Sequence, residues 1–148
     1  MSGWCGKAMA FEDIKRQLTT MTIQEVEEIF ITEFQAVFDR FTIIEEDVLS
    51  LASSNKDYIY HPGVYVFFLN GKVIKVGRHL TNSRKRALEH IRDNTRNEGF
   101  EMGDLNRNIG VKILLFNLKD ANDYHWAASV EMYLETKLDP VIKSKRLG

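Results

Sequence analysis

Residues 63–90 read GVYVFFLNGKVIKVGRHLTNSRKRALEH, and the reading of this stretch decides the fold. An apolar run from Gly63-Val64-Tyr65 reaches Asn70-Gly71 and returns as Lys72-Val73-Ile74-Lys75-Val76-Gly77. Asn-Gly between two such runs is a hairpin signal, because both residues tolerate the positive φ of a type I′ turn. Tyr65 and Lys75 are thus expected on neighbouring antiparallel strands. A basic helical pattern follows, capped by Thr81 or Asn82 and expected to run to about residue 93. Arg86 and His90 stand one turn apart on it and share a face.

Downstream, residues 94–110 are polar and carry three glycines, which reads as a loop with Phe100 and Met102 as candidate anchors. Residues 111–118, VKILLFNL, are almost all apolar, as in a central strand covered on both faces. Asn122 or Asp123 can cap a last helix over about residues 124–138, which Asp139-Pro140 stops. Its core face is Trp126, Ala127, Val130, Tyr133, Leu134 and Leu138.

Upstream, Phe11, Ile14 and Leu18 suggest a short helix. Thr22-Ile23-Gln24-Glu25 is a capping-box pattern. Behind it, Val26, Ile29, Phe30, Phe34, Val37, Phe38 and Phe41 recur at helical spacing, with acidic residues opposite. A helix over residues 23–41 is expected, then a second helical stretch over about residues 44–51. The apolar stripe serves either as core or as a surface for a homodimer or protein partner. Tyr58, Ile59 and Tyr60 lead through His61-Pro62 into the first strand.

The 148 residues suit one independent core, with 44% apolar and 28% charged residues. No run of eighteen apolar residues occurs, which argues against a membrane span. The single Cys5 and the charged N-terminal segment point to a reducing, cytoplasmic setting. The net charge of −1 hides an asymmetry. Residues 1–62 hold 5 Lys/Arg against 11 Asp/Glu, and residues 63–148 hold 15 against 10. Within residues 72–96 the tally is 8 against 2, a concentration able to neutralise several phosphates. A solvated helix face would look the same in composition alone.

The series Gly63-Val64-Tyr65, Lys75-Val76-Gly77, Arg86 with His90, and Glu131 with Pro140 resembles the GIY-YIG nuclease family. Lys75 stands where most members have Tyr, although some restriction endonucleases of the family also carry Lys. The Asn that often follows the Pro is missing. The resemblance covers roughly residues 62–145. It implies an α/β (α+β) fold with a small three-stranded sheet flanked by helices. Residues 62–148 would form the nuclease-like domain, and residues 1–61 an acidic helical extension packing on it.

The resemblance further implies a metal-dependent endonuclease acting on DNA. Hydrolysis of a phosphodiester needs an aligned, deprotonated water, neutralised phosphate charge and a stabilised leaving oxygen. Glu131 would hold Mg²⁺ or Mn²⁺, with Glu135 one turn later as the alternative ligand. Tyr65 would be the general base, and Lys75 across the hairpin would lower its phenol, orient the water or contact the phosphate. Arg86 would stabilise the phosphate bidentately, helped by His90. Arg78, His79, Arg84, Lys85 and Arg92 are candidate nucleic-acid contacts, as are Arg96 and Arg107 in the loop. His61 and His125 receive no role, and no His/Cys spacing resembles a zinc site. Two other readings stay open: a catalytically inactive nucleic-acid-binding or assembly module, and a protein-interaction domain using the N-terminal helix.

Overall fold

The computed structural model describes residues 20–92, 96–97, 100–103 and 110–144. In chain order these residues form α1 (Ile23–Glu33), β1 (Phe41–Asp47), α2 (Val48–Leu51), β2 (Gly63–Leu69), β3 (Lys72–His79) and α3 (Ser83–Arg92). The short β4 (Arg96–Asn97) and β5 (Phe100–Glu101), then β6 (Lys112–Leu118) and α4 (His125–Leu138), complete the series. The helix expected around Phe11–Leu18, Arg107 and the side chains of Arg96 and Phe100 lie outside the described residues.

Asn70 and Gly71 both take positive φ, 51° and 78°, the requirement of a type I′ turn. They fold β2 onto β3, with Tyr65 opposite Gly77 and Phe67 opposite Lys75. A bulge between Phe67 and Phe68 then shifts the register, so that Phe68 faces Val73. Beyond β2 lies β6, and beyond β6 lies β1, all antiparallel, in the order β1-β6-β2-β3. The fold is mixed α+β.

The sheet therefore has four strands where three were expected, and the fourth comes from the segment read as helical. α1 ends at Glu33, and residues 41–47 extend along β6 from Phe41 opposite Leu118 to Asp47 opposite Lys112. Val37, Phe38 and Phe41 mimic a helical stripe, but the run Phe41-Thr42-Ile43-Ile44 is β-branched and aromatic. β6 also has an edge whose backbone groups need partners, and strand pairing supplies them. Ile44, Val48 and Leu51 likewise mimic a helix. Only Val48–Leu51 forms one, and Ile44 belongs to β1.

Alternation along the strands divides the core in two. Val64, Val66, Phe68, Leu114, Phe116 and Leu118 face α1 and α4, meeting Val26, Phe30, Val130 and Leu134. Phe30 sits at the centre of that layer, 4.7 Å from the Phe116 ring and 5.1 Å from Phe41. The α1 stripe thus serves as core through Val26 and Phe30, each worth about 1.5–3 kcal/mol by burial. Phe38 remains exposed. The opposite face carries Tyr65, Phe67, Ile113 and Leu115 beneath α3, whose Ala87 and Ile91 pack down with Met102.

Three local features fix the helices over this sheet. Thr22 Oγ1 accepts from Glu25 N–H at 3.1 Å and caps α1. Asn82 Oδ1 accepts from Lys85 N–H at 3.0 Å and caps α3. Asp139, left-handed at φ 47°, ends α4 before Pro140. The chain then runs beside β3, where Val141 and Ile142 donate to Val73 and Ile74 carbonyls at 3.1 and 2.8 Å. This contact covers the free edge of β3. Among the described residues, no helix is long and apolar enough to cross a membrane.

Candidate functional site

Gly77 explains the position of Tyr65. The two residues are directly opposite in the β2–β3 register, and a β-carbon on Gly77 would collide with the phenol hydroxyl and Cζ. The ring therefore lies across β3 at a position that offers no side chain. The ring belongs to the core layer beneath α3. Tyr65 is 1% exposed, and its ring centroid stands 5.7 Å from that of His90 on α3.

Burial dominates the phenol's acidity and pushes it well above its ordinary value. The Arg86 guanidinium opposes this as both a nearby charge and a hydrogen-bond partner, while the carboxylates of Glu131 and Glu89 add to the upward shift. Tyr65 is thus a neutral phenol at neutral pH. Arg86 is a positive charge acting on it. Lys75 is buried on β3 opposite Phe67, with its backbone bridged to Ile142.

Glu131 projects from α4 beside the core residues Val130 and Leu134 and is 5% exposed. A carboxylate so placed is costly unless paired. Its Oε1 accepts from Arg78 Nη1 at 2.6 Å, a short charge-assisted contact. Arg78 is the more exposed partner and reaches Glu131 from the end of β3. Arg86 also meets Glu89 at 3.2 Å, one turn along α3. The Glu135 carboxylate instead accepts from Ser144 N–H at the chain's return, so Glu131 is the α4 acid that acts on Tyr65.

Tyr65, Arg86, His90, Glu131 and Arg78 are thus drawn together from β2, β3, α3 and α4, while Arg84, His79, Lys85 and Arg92 are placed elsewhere. Arg84 donates to the Ala52 carbonyl at 3.1 Å and lies 4.4 Å above the Tyr60 ring. His79 accepts at Nδ1 from Thr81 and Asn82 N–H, at 3.1 and 2.9 Å, and so shapes the turn into α3. Lys85 and Arg92 are exposed on α3. His61 Nδ1 donates to the Leu118 carbonyl at 2.8 Å, a structural role.

The pairing of Arg78 with Glu131 and the approach of Glu89 to Arg86 were missed in the sequence. The first pair is separated by 53 residues and has no local signal. The second follows the i,i+3 spacing and was readable.

Among the described residues, no group of three His, Cys, Asp or Glu side chains is assembled into a cage. A single buried carboxylate instead suits Mg²⁺, which keeps water and phosphate oxygens as its remaining ligands. No protein-family model, curated protein or solved structure matches the chain.

Proposed function

We propose that this chain is a metal-dependent endonuclease of GIY-YIG type that hydrolyses DNA phosphodiester bonds. The observation that carries this reading is the convergence of Tyr65, Arg86 and His90 with the buried Glu131 around the side-chain-free position of Gly77. The basic run over residues 72–96 supports a polyanionic substrate.

In this reading Arg86 donates to the non-bridging oxygens of the scissile phosphate, where charge grows in the transition state. His90, on the same helix face, hydrogen-bonds that phosphate or the attacking water. The neutral Tyr65 hydroxyl orients the water; to act as base it first releases its own proton to solvent, which requires the burial penalty on the phenolate to be offset, and the phenolate then takes the proton of the water. Glu131 would hold Mg²⁺, which supplies charge for the leaving 3′ oxygen and a counter-charge for the phenol. Arg78 orients the Glu131 carboxylate until then.

A second reading has its own observation. The 2.6 Å pair with Arg78 already neutralises Glu131, as befits a nucleic-acid-binding module without catalysis. Nicking of supercoiled plasmid by the purified protein separates the two. Cleavage with Mg²⁺ or Mn²⁺ that EDTA abolishes supports the nuclease. DNA retention at low salt without cleavage under any metal supports the binding module.

A further inference from the structure

We propose that Tyr60 and Arg84 form a stacking platform for an unpaired nucleobase, which makes a single-stranded or locally opened nucleic acid the preferred ligand. The inference rests on the nucleic-acid reading above and adds to it the kind of strand that the chain selects. Tyr60 is 59% exposed, although it precedes a strand whose next residues are buried. Arg84 stacks over its ring at 4.4 Å, so a cation covers the ring while more than half of the residue faces solvent.

The platform is held rigid from beneath. Arg84 is fixed by the Ala52 carbonyl. The Tyr58 carbonyl accepts from Asn117 Nδ2 at 2.9 Å and from His61 N–H at 3.1 Å, which fixes the backbone on both sides of Tyr60. An ordered aromatic ring loses little freedom when a base stacks on it, and every base offers a π-face. Arg84 Nε is moreover the buried side-chain nitrogen without a hydrogen-bond partner among the described residues. The stacking contact with Tyr60 is thus a principal tie for this guanidinium.

The helix geometry connects the platform with the proposed cleavage site. Ser83, Ala87 and Ile91 form the buried stripe of α3. At 3.6 residues per turn, Arg84 and Arg86 flank that stripe on opposite sides, and Lys85 and Arg92 share the exposed crest between them. The two flanks are separated by about 10 Å, one helix diameter with side chains. A strand crossing α3 would stack a base on Tyr60, lay its backbone across Lys85 and Arg92, and present a phosphate to Arg86 a few nucleotides away. A closed duplex hides its base faces and could use only the crest.

The test is fluorescence anisotropy in EDTA, with a labelled single-stranded DNA oligonucleotide and a duplex of the same sequence. Working without metal separates binding from cleavage. Tyr60→Ala is expected to weaken single-strand binding by about tenfold or more and to leave duplex binding and the melting curve unchanged. Tyr60→Phe keeps the ring and should bind like the wild type. Equal losses on both ligands, or no loss on either, would overturn the platform while leaving the nucleic-acid reading in place. Failure of the wild type to bind any DNA would overturn both.

Discussion

At the start of β2, Ser83 donates to Asn117 Oδ1 at 2.5 Å, and Asn117 donates in turn to the Tyr58 carbonyl at 2.9 Å. Farther along the same strand, Tyr65 lies among Arg86, Glu131, Arg78 and Glu89. Both clusters place polar atoms inside an apolar core, yet they are built differently. The first is neutral, and its members answer one another. Gly63 lies so close to it that a β-carbon would strike Asn117 Oδ1 and the Phe116 carbonyl. The second is ionised, reaches the rim through the half-exposed Arg78 and Arg86, and holds a phenol whose acidity burial opposes. A closed neutral network fixes a fold, whereas a charged cluster with an open side can accept a charged ligand.

Changes at either cluster should separate these roles. The largest effect is expected from Arg86→Ala, which removes the proposed phosphate ligand and the cation beside Tyr65. Single-turnover cleavage should fall by about 10²–10³-fold, the scale for losing one transition-state donor. Unchanged cleavage would remove Arg86 from the mechanism. Gly77→Ala comes next. The added methyl must displace the Tyr65 ring, at a cost of about 1–3 kcal/mol for overpacking, and cleavage should be lost with it. Thermal melting together with plasmid nicking reads both effects.

Asn117→Ala acts on the neutral cluster. It strands the Ser83 hydroxyl and one partner of the Tyr58 carbonyl, so stability should drop by about 1–3 kcal/mol in urea unfolding. Cleavage by folded molecules already bound to DNA should be retained. The smallest effect is on the alkaline limb of stability, to which the Tyr65 phenol contributes. The native phenol ionises at higher pH than the unfolded one, so above about pH 10 the unfolded state binds fewer protons and stability falls as pH rises. Tyr65→Phe should lose this share of the slope, which urea midpoints from pH 9 upward would measure.

Legibility in the sequence followed locality. The hairpin at Asn70-Gly71, the α3 cap at Asn82 and the α4 stop at Asp139-Pro140 were readable because each rests on the preferences of adjacent residues. β1 was not readable. Its Phe41 and Ile44 fit a helical period, and only pairing with β6, some seventy residues later, makes them a strand. In the candidate site the i,i+4 relation of Arg86 to His90 was local and legible. The pairing of Arg78 with Glu131 and of Arg84 with Ala52 and Tyr60 depends on tertiary approach, so both arginines looked equally available for DNA. The signal for the neutral cluster was present as a lone Asn within the apolar run of β6, since a polar residue in such a strand requires internal partners.

The most direct test compares single-turnover nicking of supercoiled plasmid by Glu131→Gln and Asn117→Ala, with Mg²⁺, at a temperature where both variants are fully folded. Glu131→Gln is expected to fold and fail to cut, while Asn117→Ala, with protein in excess so that all DNA is bound, cuts at the wild-type rate despite its lower stability. Undiminished cutting by Glu131→Gln would contradict the assignment of the charged cluster as the working site.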